Sequence, residues 1–267
     1  MGLLEGKRVL ITGGRKGIGR GTALTLANEG ASVGINDIVD DDITERTLNL
    51  INEKGVKGTK HVGDVSTVKN INKVIDSFVN AHGGLDILIN NAIFRDTQTA
   101  RPLFEVDEHF WDHMMNLTLK GYFFAAQRAA KEMIDQGTGG RIICISSVHS
   151  YGASRDWTTY GIAKMGMRRM VKGLAVDLSG TGITANCVAP GIVSNALPLE
   201  DDTQIDGEPH DVSVRKRIEQ TVPSKRGGRP SDIANAILFL SSKLGEYVNG
   251  ETILVDGGLM ASAGPNR

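Results

Sequence analysis

Val9-Leu10-Ile11-Thr12-Gly13-Gly14-Arg15-Lys16-Gly17-Ile18-Gly19 decides the fold of this chain. The first four residues form a β-rich apolar run, and a helical stretch at residues 17–29 follows directly. A strand that enters a helix through a glycine turn offers the helix's first backbone N–H groups to a pyrophosphate. Gly13, Gly17 and Gly19 let the backbone turn tightly and approach such a ligand closely. The spacing is Gly-x-x-x-Gly-x-Gly rather than Gly-x-Gly-x-x-Gly, and alone it also fits an ordinary strand-to-helix turn. Its place after the first strand favours a dinucleotide, with Gly13, Arg15, Lys16, Gly17, Ile18 and Gly19 as contacts.

Outward from this turn, apolar runs recur at residues 8–12, 32–36, 59–62, 87–90, 141–146, 184–188 and 252–255. They are near-continuous rather than alternating, as in strands buried on both faces. Amphipathic helical stretches lie between them at 17–29, 42–54, 68–82, 107–136, 158–179 and 231–241. This alternation predicts an α/β fold with a doubly wound parallel sheet and helices on both faces. No repeat or linker interrupts it, so one domain is expected over residues 1–267. Residues 194–223 break the rhythm with a polar connection that carries Glu200-Asp201-Asp202 and Arg215-Lys216-Arg217. Such a stretch is a solvated insertion or a lid, and a substrate lid is the expectation here.

Composition narrows the partners. The 267 residues carry 30 basic and 31 acidic side chains, a net charge of −1, and no basic run that would meet nucleic acid. No apolar run approaches the ~20 residues of a membrane helix, and the opening residues lack a signal-peptide pattern. Cys144 and Cys187 each fall within a strand run and read as buried thiols in a reducing, cytoplasmic setting. Six scattered histidines give no metal-ligand spacing, so no metal is expected.

The chemistry is carried by Tyr160 and Lys164, one helical turn apart, with Ser147 thirteen residues upstream of the tyrosine. A phenol must lose a proton near neutral pH to act as a base, against a free pKa of about 10. A cation ~4 Å away at an effective dielectric of ~20 contributes on the order of 4 kcal/mol towards that. Asp37 ends the second strand run, where a carboxylate can accept from both hydroxyls of an adenosine ribose; it can equally be a turn or capping residue. Asp64-Val65 follows the third strand, placed either to meet an adenine or to cap the helix near Val68.

Thr12–Gly19, Asp64-Val65, Asn90-Asn91-Ala92, Asn116, Ser147, Tyr160-x-x-x-Lys164, Pro190-Gly191 and Val255-Asp256-Gly257-Gly258, in this order, resemble the short-chain dehydrogenase/reductase family across essentially the whole chain. The resemblance implies a Rossmann-type sheet of seven strands, a nicotinamide cofactor, and a catalytic tetrad at Asn116, Ser147, Tyr160 and Lys164. It implies further cofactor contacts at Asn91, Pro190, Gly191 and Val193, and a homotetramer that pairs long helices and C-terminal strands. In this reading Ser147 holds the substrate oxygen, Asn116 positions a water that relays protons to Lys164, and Tyr160 is the general acid or base. Two residues depart from the family pattern. Ile93 stands where Gly usually follows Asn-Asn-Ala, and Ser194-Asn195 stand near the usual Thr after Pro190-Gly191.

His149, Arg155, Asp156 and Trp157 flank the reacting position, with Ser147 and Tyr160 at its centre. Such a polar rim with one aromatic face suits a polyhydroxylated or anionic substrate, and a sugar, polyol or similar hydroxylated small molecule is the expectation. Asp37 predicts NAD rather than NADP, because its carboxylate would repel a 2′-phosphate; Arg15 and Lys16 weigh the other way but can swing towards solvent. A 3-oxoacyl carrier-protein reductase using NADPH is the competing enzyme, and a non-catalytic dinucleotide sensor is the competing non-enzyme.

Overall fold

The computed structural model describes residues 2–93, 99–193 and 212–262. Its seven strands are β1 (Arg8–Thr12), β2 (Ser32–Asp37), β3 (Gly58–Val62), β4 (Ile87–Asn90), β5 (Gly140–Ile145), β6 (Ile183–Pro190) and β7 (Thr252–Val255). The helices are α1 (Gly17–Asn28), α2 (Asp42–Asn52), α3 (Val68–His82), α4 (Glu108–Met115), α5 (Tyr122–Gln136), α6 (Thr158–Asp177), α7 (Val212–Thr221) and α8 (Pro230–Ser241). The strands form one parallel sheet in the order β3-β2-β1-β4-β5-β6-β7, the parallel sheet expected from the alternation and the seven-stranded Rossmann type that the resemblance implies. The order reverses between β1 and β4, so a crevice opens beyond the carboxyl ends of these strands.

Side-chain alternation along each strand feeds two cores. Leu10, Leu88, Ile142 and Cys144 point to one face, against α3, α5 and α6, through Phe78, Met133 and Val171. Val9, Ile11, Ile87, Ile89, Ile143 and Ile145 point to the other, against α1 and α8, through Leu24, Ile233 and Ile237. Each such fully buried side chain contributes about 1.5–3 kcal/mol, so the sheet is a rigid platform for the loops at its carboxyl edge.

The stretch expected as one helix at 107–136 is not uniform. α4 ends at Met115, a π-helical turn spans Asn116–Gly121, and α5 begins at Tyr122. The buried positions explain the break. Phe110, Met114, Thr118 and Tyr122 are spaced four apart, wider than the 3.6 residues of an α-helical turn, so a widened turn keeps them all inward.

Edge strand β3 carries a partly buried polar chain. Thr59 Oγ1 lies 2.7 Å from Nε2 of both His61 and His82, and His61 Nδ1 lies 2.9 Å from Ser77 Oγ. Burial lowers both imidazoles to about 4, whereas an unfolded histidine titrates near 6.5. Between these values the unfolded chain binds more protons, so stability should fall as pH drops from about 6.5 to about 4. Urea midpoints measured across this window are expected to slope less for His61→Gln than for the wild type. An unchanged slope would remove the histidine as a cause of acid sensitivity.

Candidate active site

The site is built on the crevice at the carboxyl edge. Gly13 and Gly17 adopt positive φ (64° and 59°) in the turn after β1. A Cβ on Gly19 would lie 2.1 Å from the Gly13 carbonyl oxygen, so the turn closes only with glycine there. Asn91 fastens β4 to this turn: its Nδ2 donates to the carbonyls of Thr12 and Gly13 at 3.0 and 2.9 Å. In return Thr12 Oγ1 accepts from the N–H groups of Asn91 and Ala92 at 3.0 and 3.1 Å. No side chain caps the N-terminus of α1, and its first turn carries no acidic residue. Its leading amides therefore suit an anion, and the residues present fit a dinucleotide pyrophosphate.

A cavity of about 1980 Å³ runs from this turn past the end of β2 to Tyr160. Gly13, Arg15, Lys16, Ile18, Asp37, Asp64, Val65, Asn91, Pro190, Gly191 and Val193 border it, as do Ser147, His149, Arg155, Trp157, Tyr160 and Lys164. Gly17, Gly19 and Asn116 do not border it. The glycines shape the turn from behind. Asn116 sits in the π turn, where its Oδ1 accepts from Lys120 Nζ at 3.2 Å. Ser194, and residues 194–211 of the expected lid, lie outside the described residues. The described end of that stretch is helical, as α7.

At the adenosine end, Asp37 Oδ1 accepts from the Ile38 N–H at 2.9 Å. Asp64 accepts from the N–H and Oγ of Ser66 at 2.9 and 2.8 Å. It does not cap α3; Thr67 does, accepting from Asn70 N–H. Arg15 does not swing towards solvent, contrary to the sequence-based expectation. Its guanidinium is buried and held in a forked ion pair by Asp41, with Nε donating to Oδ1 at 2.9 Å and Nη2 to Oδ2. That pair raises the Arg15 pKa and holds the Asp41 carboxyl far below the usual carboxylate range. Asp41 also caps α2 through Ile43 and Thr44 N–H, which fixes the pair to the helix.

At the other end, Tyr160 and Lys164 lie on the buried face of α6. Burial outweighs a hydrogen bond with Ser147 and leaves the Tyr160 phenol raised to about 12. Burial brings Lys164 down to about 7. The Lys164 ammonium donates to the Ile145 carbonyl at 2.6 Å and lies 5.5 Å from the Tyr160 ring centre. The expected depression of the phenol by the lysine does not appear in the protein alone, where the loss of water around the phenol dominates. Ser146 Oγ donates to the Lys164 carbonyl at 3.0 Å and is committed there, whereas Ser147 faces the phenol.

Three rings fix the substrate wall. His149 stacks on Trp157 at 4.6 Å, and both meet Tyr160 edge-on at 5.7 and 5.2 Å. The chain reaches Trp157 through Asp156, whose φ of 69° is a left-handed conformation in a non-glycine residue. Ile93 borders the cavity and packs with Phe110, Met114, Tyr160 and Ala163, so its side chain does narrow the wall beside the phenol. Arg217 and His113 also border the cavity and were not foreseen. Arg217 was visible in sequence only as part of a charged run, with no signal for which of its three cations faces inward. Among the described residues no cluster of three potential metal ligands occurs.

The model for enoyl-(acyl carrier protein) reductase matches residues 13–260. The chain is 35% identical to L-rhamnose-1-dehydrogenase of Scheffersomyces stipitis, over 98% of each chain. It is 36% identical to 2-dehydro-3-deoxy-D-gluconate 5-dehydrogenase of Escherichia coli, over 97% of each. To a 3-oxoacyl-[acyl-carrier-protein] reductase of Thermotoga maritima it is 35% identical, over 96% of this chain and 99% of that one. Among solved structures, a short-chain type dehydrogenase/reductase from Mycobacterium marinum matches with a TM-score of 0.85, at 28% identity over 97% of both chains.

Proposed function

Because this chain belongs to the short-chain dehydrogenase/reductase family and acts on CH–OH groups, we propose that it is an NAD-dependent oxidoreductase for a secondary alcohol of the sugar or polyol class. One observation carries this reading: a single cavity joins Asp37 to a phenol that Ser147 bonds and Lys164 underlies. The nicotinamide, when bound, supplies the hydride acceptor or donor. Tyr160 takes the alcohol proton in oxidation and returns it in reduction. Ser147 orients the substrate oxygen beside it. Lys164 holds positive charge beneath the phenol, and Asn116 marks the π turn through which a proton relay would leave. Gly13, Arg15, Lys16, Ile18 and Asn91 would hold the dinucleotide, with Asp37 on its adenosine ribose. NADH formation with a panel of sugars, polyols and simple secondary alcohols tests the reading; no turnover of any of them would overturn it.

The 3-oxoacyl carrier-protein reductase relatives support a second reading, with NADPH. Asp37 speaks against it, and so does the Arg15–Asp41 pair, which spends the cation a 2′-phosphate would need. Like charges in a partly desolvated pocket typically cost several kcal/mol. Catalytic efficiency is therefore expected to favour NAD over NADP by roughly tenfold or more, and Asp37→Ala to narrow or reverse that preference. A wild-type protein already favouring NADP would remove the assignment. The placement of Ser147, Tyr160 and Lys164 in one cavity argues against a non-catalytic sensor.

The same reading includes a homotetramer, a cytoplasmic setting, one domain and a lid within residues 194–223. Exposed Phe123 on α5 and Ile162, Met165 and Val176 on α6 support pairing between copies. The two buried free thiols support a reducing compartment. Among the described residues no helix is long and apolar enough to cross a membrane.

A further inference from the structure

The described charged groups that border the cavity are mixed at the adenosine end, where Arg15 and Lys16 join the carboxylates, and of one sign at the other. Its carboxylates, Asp37 and Asp64, lie at the adenosine end. Beyond Tyr160 the described charged side chains are all cationic: Arg155, Arg217 and Lys225. A neutral sugar would not need such a wall of cations.

Arg217 is the cation best placed to act. Helical spacing puts Val214, Arg217, Ile218 and Thr221 on one face of α7, and Ile218 is buried, with 3% of its surface exposed. Val214, Arg217 and Thr221 border the cavity, whereas Arg215 and Lys216, on the other faces, do not. Arg155 is shared with Asp156 at 3.9 Å, and Lys225 donates to the Glu219 carbonyl at 2.9 Å. Among the described residues Arg217 has no ion pair or side-chain hydrogen bond. Its charge reaches His149, which burial and Arg217 together keep below its ordinary pKa. A neutral His149, held flat against Trp157, can hydrogen-bond a hydroxyl without competing for an anion.

We propose that Arg217 forms a carboxylate subsite and that the substrate is a hydroxy acid, such as a sugar acid, rather than a neutral sugar. The planar guanidinium matches a carboxylate with two parallel hydrogen bonds, which fixes the acid end and presents the carbinol to Tyr160. The carboxylate itself is bound and unchanged. The proposal rests on the reading above that this cavity turns over an alcohol, so its test includes binding as well as turnover.

Matched aldonates and alditols of four to six carbons, D-gluconate against D-glucitol among them, are titrated into NADH-loaded protein and read by the nucleotide fluorescence. The same pairs are assayed for NAD reduction. In wild type the acid is expected to bind about thirty-fold more tightly than its alditol. Arg217→Gln should collapse this ratio towards one, and Arg217→Lys should keep part of it. Equal affinity for acid and alditol in wild type, or an unchanged ratio in Arg217→Gln, overturns the subsite whether or not turnover is seen. A charge-dependent ratio with no turnover of any alcohol supports the subsite and overturns the catalytic reading instead.

Discussion

Tyr160→Phe is expected to lower turnover by a factor of about 10² or more while fold and nucleotide affinity stay close to normal. The ring keeps its packing against His149, Trp157 and Ala163, so the wall of the cavity survives. What disappears is the phenolic hydroxyl that bonds Ser147. In the proposed reaction that group carries the proton; Ser146 is tied to the Lys164 carbonyl and Lys164 to that of Ile145, so neither takes its place. Steady-state rates with an authentic substrate, beside nucleotide titrations, check this. Near-normal turnover would refute the assigned acid/base.

Lys164→Met should be as damaging to catalysis, and it carries a second signature in stability. The folded protein holds Lys164 down to about 7, whereas an unfolded lysine titrates near 10.4. Between these values the unfolded chain binds a proton that the folded chain does not, so this residue makes stability rise with pH from about 7 to about 10. Below pH 7 the penalty for burying the charge is present in full. The methionine variant should therefore gain stability over wild type near pH 7 and lose that advantage by pH 10. Thermal midpoints of both proteins at the two pH values decide it; parallel behaviour would show that Lys164 is not titrating as a buried base.

Strand positions and the glycine turn were legible in sequence because their signals are local. A run such as Val9 to Thr12 is apolar on both faces only if helices cover both faces. The departures came from contacts between segments far apart in the chain. Arg15 reads as a solvent-facing cation until Asp41, 26 residues on, is seen to grip it. The Tyr160 pKa follows neighbour charge in a sequence argument, but the number of atoms excluding water around it, which sequence does not show, dominates. Arg217 lay in a charged run that only a helical phase could sort. Asp64 and Thr67 compete for one cap, and the geometry alone chose Thr67.

The π turn at Asn116–Gly121 makes this stretch one residue longer than its buried face requires. Remove any one residue there and an ordinary helix can run from Glu108 to Gln136 with Phe110, Met114, Tyr122 and Ala126 still directed inward. The gene can thus lose one codon at this place without the rotation of about 100° that a deletion imposes elsewhere in a helix. A Thr118 deletion should keep its helical circular dichroism and its cooperative unfolding. It should nonetheless be a poor enzyme, because Asn116 and the carbonyls around it would be drawn back into the ladder. The surplus residue is then dispensable for folding.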